Sequence, residues 1–182
     1  IHAAQFGDLT RRVDVSQMSG FLENIAVGIN DLIQTIQTPF DEIKVAVEKI
    51  REGHFEKMQT LNYHGDFLNI ANSVNEAIDS IQSLSFTLEE LVESANLGLL
   101  SKRADVSRYS GVYQDIVRGI NLMMNSVITP LTESGNVLQQ LAQGNLTERV
   151  KGQYHGDFAL IKNNINQTIE ALNLFIGELI QM

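Results

Sequence analysis

The chain has 182 residues, with 22 acidic and 13 basic side chains and a net charge of −9 at pH 7. This charge argues against a general nucleic-acid binder, because such proteins need a basic face to displace counterions from phosphates. Cysteine is absent, which excludes disulfides, thiolate metal sites and cysteine nucleophiles. Two prolines and no apolar run of ~18 residues favour a helical protein without a membrane span. No signal peptide is visible and the chain begins with Ile1, so we expect a segment of a longer protein.

Three series of residues recur along the chain with a period of 45 or 46, which predicts a repeat architecture. Each member of the first glycine series begins a Gly-x-Leu or Gly-x-Phe step. The three series are Gly7, Gly53, Gly98 and Gly144, then Gly20, Gly65, Gly111 and Gly156, and finally Asn30, Asn75, Asn121 and Asn166.

A longer period of 91 residues is superimposed on the first, since Pro39 matches Pro130 and the segment 63–67 matches 154–158. The chain therefore holds two copies of a pair of dissimilar units. We expect four units, at 1–38, 39–84, 85–129 and 130–182, of which the first lacks most of its beginning.

Each unit is predicted to be a helix, a connector and a second helix. In unit two, Pro39 is expected at the start of the first helix, and the apolar residues that follow are spaced 3, 4 and 3 apart, as in a coiled coil. Gly53 is a plausible helix stop, and residues 54–64 show no helical period. Asp66 then complements the dipole in the first turn of the second helix.

The second helix of each unit is predicted to continue into the first helix of the next without a loop, with one 3-4-4 step that locally unwinds a coiled coil. The connector, 12 residues from Gly53 to Gly65, can extend up to ~40 Å. It can therefore return along a 14-residue helix of ~21 Å, so that both helices of a unit point the same way.

Two helices with one narrow apolar stripe each do not close a core, whereas a symmetric dimer supplies two more. The predicted fold class is all-α, with tandem helix–connector–helix units that form stacked parallel four-helix coiled coils as a homodimer. The predicted bundle core is Leu22, Ile25, Ile29, Phe40, Ile43, Val47, Ile50, Phe67, Ile70, Val74, Tyr113, Ile116, Ile120, Leu131, Leu138, Leu141, Phe158, Ile161 and Ile165. The predicted connector positions are Gly7, Leu9, Gly53, Phe55, Gly98, Leu100, Gly144 and Leu146.

These features resemble the HAMP domain, the relay module of bacterial chemoreceptors and sensor kinases. The resemblance lies in the Gly-x-Leu opening of the connector at Gly144, the proline-led first helix, and the pair Ile165-Asn166 in the second helix. It covers the whole chain as a tandem array, typical of methyl-accepting chemotaxis proteins or related sensor proteins. It implies a parallel homodimer on the cytoplasmic side of the parent receptor, which passes a signal from an upstream sensor to a downstream output domain.

The family usually opens its second helix with an Asp-Glu-x-Gly motif. Here units two and four carry a His-Gly-Asp sequence, at His64 and His155, whereas units one and three carry Ser-Gly followed by an apolar residue, at Ser19 and Ser110. The acid-mediated contacts that the resemblance implies are therefore expected only in units two and four.

Several polar residues recur and have alternative interpretations. Metal, heme or pH-sensing roles for His64 and His155 are less favoured than packing near the connector, because no convergent ligands are evident. We expect the side chains of the asparagine series to form hydrogen bonds with the connector, and a buried asparagine can also fix the register of a bundle. The basic residues Arg12, Arg103 and Arg149 also recur, with Met58 assigned to that place in unit two. We expect them to provide surface solubility or a contact to the neighbouring unit, with partner binding as the alternative.

The predicted function is signal relay by a switch between two helix-bundle packings, with no catalytic residue, cofactor, metal or small-molecule substrate. The expected partners are a second copy of the chain and the sensor and output domains, and nucleic acid is not among them. A monomeric helical-repeat scaffold that binds a protein partner is the alternative. An enzyme or ligand-binding bundle is less favoured, because the inward positions are apolar.

Overall fold

The computed structural model describes residues 2–181, with side chains from residue 4 onward. Every regular element among these residues is helical, which confirms the all-α prediction. The elements are α1 (His2–Gln5), α2 (Phe21–Arg51), α3 (Gly65–Asn96), a 3₁₀ turn (Val106–Arg108), α4 (Gly111–Ala142) and α5 (Gly156–Gln181).

The three long helices α2, α3 and α4 each run from one predicted unit into the next without a break, so the loop-free junctions are confirmed. Pro39 and Pro130 lie buried in the interior of α2 and α4, so each begins the first segment of a unit without beginning a helix. A proline inside a helix removes one backbone hydrogen bond and can be accommodated by a local bend. The predicted borders after residues 38, 84 and 129 therefore fall within continuous helices.

Glycine ends the first helix of each unit, as the sequence predicts. Gly53 has φ +82°, a left-handed conformation that other residues rarely adopt. The N–H of Gly53 donates to Ile50 O at 3.0 Å, and the N–H of His54 donates to Lys49 O at 2.8 Å. This is the Schellman pattern, which satisfies the last carbonyls of the helix and turns the chain into the connector. The same pair of bonds recurs at Gly98 and Gly144.

The chain divides into two compact halves, residues 1–86 and 87–182, and each half contains a small apolar cluster. Each cluster joins one residue from a first helix, one from a connector and one from a second helix. The buried members are Ala46, Met58 and Ala71 in the first half, within unit two, and Val137, Val150 and Ile169 in the second half, within unit four. None of the described helices combines the length and the apolar composition that a membrane span requires.

Candidate functional site

Each connector is attached to the second helix of its own unit by one asparagine, which we call the asparagine contact. In unit four, the backbone N–H of Val150 donates to Asn166 Oδ1 at 2.9 Å, and Asn166 Nδ2 donates to Val150 O at 3.0 Å. The amide side chain thus pairs with the backbone as a neighbouring β-strand would. The predicted role of the asparagine series is confirmed in all four units. The equivalent pairs are Asn30 with Val13, Asn75 with Met58, and Asn121 with Ala104.

These contacts correct the predicted register of the second connector. Met58 is the residue bound by Asn75 and is buried, so it corresponds to Val13, Ala104 and Val150 and not to the arginines. The reason is that unit two has one residue fewer between its glycine and the bound residue. Lys57 therefore takes the place of the arginine.

The basic residues at this place contact the connector backbone or the second helix: Arg12 and Arg103 bind both, Lys57 binds the helix, and Arg149 binds the connector alone. Arg103 donates to the carbonyl of Leu100 at 2.7 Å and to Asn125 Oδ1 at 2.6 Å. Lys57 donates to Asp79, which is equivalent to Asn125, at 2.8 Å. Arg12 likewise donates to Leu9 O and Gln34, and Arg149 to Leu146 O. Lys57 and Arg12 are exposed, so their contacts contribute little to stability, whereas Arg103 and Arg149 are half-buried. All these contacts lie within one unit and not between neighbouring units.

A tyrosine near the end of the connector attaches it to the first helix, and we call this the tyrosine contact. Tyr63 donates to Glu42 in unit two, and Tyr154 donates to Glu133 in unit four. In unit three, the hydroxyls of Tyr109 and Thr87 are 2.6 Å apart. Glu133 also accepts the backbone N–H groups of Lys151 at 2.6 Å and Gly152 at 3.0 Å.

The tyrosine contact changes the electrostatics of its members. Burial, together with the hydrogen bond to Glu42, raises the pKa of Tyr63 to about 12. The hydrogen bond to Glu133 raises the pKa of Tyr154. The same bond from Tyr154, with the N–H groups of Lys151 and Gly152, holds the pKa of Glu133 below its ordinary value. Sequence reasoning did not identify this contact, although Glu42 and Glu133 are 91 residues apart, as are Tyr63 and Tyr154.

The predicted connector residues are four glycines and four apolar residues, one of each in every unit. The glycines Gly7, Gly53, Gly98 and Gly144 all have positive φ. The apolar residues two positions later are half-buried against their own unit: Leu9, Phe55, Leu100 and Leu146.

None of the predicted bundle-core residues is fully buried within one chain. The half-buried members are Ile29, Ile43, Ile50, Phe67, Val74, Tyr113, Ile120, Leu141, Phe158 and Ile165. The exposed members are Leu22, Ile25, Phe40, Val47, Ile70, Ile116, Leu131, Leu138 and Ile161. The rings of Phe40 and Phe67 meet edge to face with centroids 6.4 Å apart. The exposed members leave apolar side chains open on every helix from α2 to α5, several on α2 and α4, but only Ile70 on α3 and only Ile161 on α5.

The most buried helical residues include Ala26, Ala71 and Val117, and Ala71 packs in one cluster with the connector residue Met58. Sequence reasoning missed the two alanines because alanine beside a stronger Ile or Leu stripe does not change the apolar period. His64 and His155 are exposed. The described part of the chain contains no group of three His, Asp or Glu side chains arranged to hold a metal ion.

Comparison with known proteins agrees with this geometry. The family model for the HAMP domain matches residues 17–83 and again residues 108–174, which together make up more than half of the chain. The methyl-accepting chemotaxis protein McpB of Pseudomonas aeruginosa is 27% identical over 123 residues. That alignment covers 63% of this chain but only 18% of McpB, so the chain spans less than a fifth of that relative. The resemblance predicted from the motifs is confirmed, and the chain belongs to the HAMP domain family.

Proposed function

We propose that this chain is a signal-relay module of a sensory receptor, which acts as a parallel homodimer and passes a conformational change from a sensor domain to an output domain. The observation that carries this proposal is that residues of the predicted bundle core remain exposed on every long helix of a HAMP-family chain. The printed name of the relative, a methyl-accepting chemotaxis protein, supports a chemoreceptor as the parent. In that setting the module lies on the cytoplasmic side of the receptor.

The order of contacts within each unit supports the parallel arrangement. In unit two, Phe40 meets Phe67 near the start of both segments, and one turn or more further on Ala46 lies in one cluster with Ala71. In unit four, Val137 of the first segment lies in one cluster with Ile169 of the second. Contacts that advance in the same direction along both helices favour parallel helices, and the connector returns between them.

The exposure of the stripe supports a dimer. Ile70 and Ile161 are 40% and 37% exposed, although they lie at the predicted centre of the bundle. Burying a side chain of this size contributes about 1.5–3 kcal/mol. A second copy supplies the same stripe and thereby closes a four-helix bundle in each unit. A monomeric scaffold would leave all these side chains in water.

The alternation of the units supports two packings. The first residue after the glycine of the second helix is Phe21 or Val112 in units one and three, exposed at 77% and 66%, but Asp66 or Asp157 in units two and four. An apolar side chain there widens the stripe, whereas a carboxylate narrows it. Neighbouring units therefore favour different packings, and relay requires two states a few kcal/mol apart that an input can bias.

In this role the module needs no catalytic residue or cofactor, and its partners are a second copy and the domains of the parent chain. The test is Ile70→Ala in the full receptor, with Leu61→Ala on the connector as the matched control, since Leu61 is 88% exposed outside the stripe. We expect the stripe variant to change output at fixed stimulus while the dimer persists, and the control to behave as wild type. Unchanged output for alanine at Ile25, Ile70, Ile116 and Ile161 would contradict relay through the stripe.

A further inference from the structure

Four residues of α4 surround one point on the second helix of unit three. Ile116 is followed by Gly119, Ile120 and Met123, three, four and seven positions later. On an α-helix these four positions are neighbours on the surface. In a coiled coil, such a set of four forms the hole that one side chain of a facing helix enters. We call these four residues the unit-three hole.

The equivalent sets in the other units differ in alternate order. Unit one has the same composition, with three large apolar side chains and one glycine. In units two and four, a polar residue replaces the glycine, and alanine or threonine replaces the last large apolar residue. These sets are Ile25, Gly28, Ile29 and Leu32 in unit one, Ile70, Ser73, Val74 and Ala77 in unit two, and Ile161, Asn164, Ile165 and Thr168 in unit four.

The unit-three hole is open within a single chain. Met123 is 61% exposed, and open space surrounds the position that a Cβ would take at Gly119. Val117 and Asn121 lie on nearly the opposite side of α4. There the chain covers its own helix, because Val117 is fully buried and Asn121 binds the connector residue Ala104. The side of α4 that carries the hole is therefore left to a helix of another molecule.

Glycine is an unfavourable residue inside a helix unless another group approaches closely. It weakens a helix interior relative to alanine, and nothing in the single chain crowds Gly28 or Gly119. A facing helix explains both glycines, because a hole without a Cβ on one side admits an apolar side chain more deeply. Ile116 belongs both to the predicted bundle core and to the hole, so the hole widens the surface that the bundle already uses.

The first helix of unit three carries a side chain that fits the hole. In unit two the rings of Phe40 and Phe67 meet. The equivalent positions in unit three, seven residues further along both helices, are Val92 and Ile120, so these two residues lie at the same level. Val92 is 60% exposed, which means that it does not fill the hole of its own chain. In a parallel dimer, each second helix also has the first helix of the other protomer beside it.

We propose that the holes of units one and three hold the two protomers together, with Val92 of one protomer in the unit-three hole of its partner, whereas units two and four contribute less to the dimer. The occupant is the first helix of a second copy of this chain, and two-fold symmetry makes the contact occur twice. This inference rests on the proposed function, because it requires the parallel homodimer and names the units that hold it.

The test measures the Kd of the dimer for the whole chain, by sedimentation over a range of concentrations, in Met123→Ala and in the matched control Leu122→Ala. These two side chains are adjacent on α4 and similarly exposed, at 61% and 59%, but Leu122 lies outside the hole. Met123→Ala should raise Kd at least about tenfold, since both copies of the hole lose an apolar side chain. Leu122→Ala should leave Kd within about twofold of wild type.

A second pair makes one substitution at two glycines of α4 that both have open space around them in the single chain. Gly119→Ala should raise Kd at least about threefold, because the added methyl group occupies the hole. Gly135→Ala should leave Kd within about twofold, because the equivalent places in units two and three already hold the long side chains of Lys44 and Glu89.

The outcomes separate this inference from the proposed function. If the wild type is a dimer and Met123→Ala has the same Kd as Leu122→Ala, the proposal is overturned while the homodimer stands. A wild type that is monomeric at every concentration would overturn both the proposal and the homodimer on which it rests.

Discussion

The asparagine contact makes the strongest single-residue prediction, and we take Asn166→Ala as its test. Val150 is 1% exposed, and both of its backbone groups are bound by Asn166. The substitution removes two neutral hydrogen bonds of about 0.5–1.5 kcal/mol each and leaves a buried N–H and a buried C=O without that partner. We expect a loss of about 2–3 kcal/mol in the free energy of unfolding. For a chain of this length, this lowers Tm by roughly 4–12 °C.

The control is Asn163→Ala on the same helix, because Asn163 is exposed and the two variants gain the same helix propensity. Urea unfolding followed by far-UV circular dichroism, at one fixed protein concentration, compares the two variants. Asn163→Ala should lie within about 0.5 kcal/mol of wild type or slightly above it. If Asn166→Ala were as stable as Asn163→Ala, the connector would not depend on this contact and our reasoning would be refuted.

Three further predictions follow from the described contacts. Met58→Ala should cost about 2–4 kcal/mol and Lys57→Ala less than about 1 kcal/mol in urea unfolding, and the reverse order would contradict the corrected register. Gly144→Ala should destabilise the fold by about 1–2 kcal/mol, because Gly144 has φ +84°. In thermal unfolding, the control Gly135→Ala should stabilise it by up to ~1 kcal/mol, because Gly135 lies inside α4 with open space around it. Equal effects of the two variants would show that the left-handed turn is dispensable. The pKa of Glu133 is lowered in the fold, so its contribution to the free energy of unfolding is complete above the ordinary pKa of 4.5 and is lost as the pH falls through the lowered pKa. In urea unfolding, the difference in stability between wild type and Glu133→Gln should therefore narrow below pH 4.5. A difference that stays constant with pH would contradict this.

The glycine and asparagine series could be predicted from the sequence because each has a local physical reason. Gly53 ends a helix in a conformation that only glycine adopts readily, and Asn75 follows a core position at a fixed distance from the preceding glycine, Gly65. The continuous helices followed in the same way from an apolar period that does not stop at the unit borders.

Other features could not be predicted because they depend on the folded connector. The connector of unit two is one residue shorter before Met58 than the connector of unit one is before Val13. The spacing between the two glycines does not reveal on which side of the bound residue the missing position lies, so the register of Met58 could not be predicted. The contact of Tyr63 with Glu42 joins residues 21 apart, which no helical period links. Pro39 lies inside α2 because the helical residues before it override the general preference of proline for a helix start.

The central claim is a parallel homodimer that closes the open stripe, and one cysteine tests it most directly. The chain has no cysteine, so Ile116→Cys introduces the only thiol. In a parallel dimer the two copies of residue 116 lie at the same level of one bundle, and we predict rapid disulfide-linked dimer under mild oxidation, well ahead of Leu61→Cys on the exposed connector. Crosslinking of Ile116→Cys no faster than that of Leu61→Cys would contradict the parallel bundle and with it the proposed route of the signal.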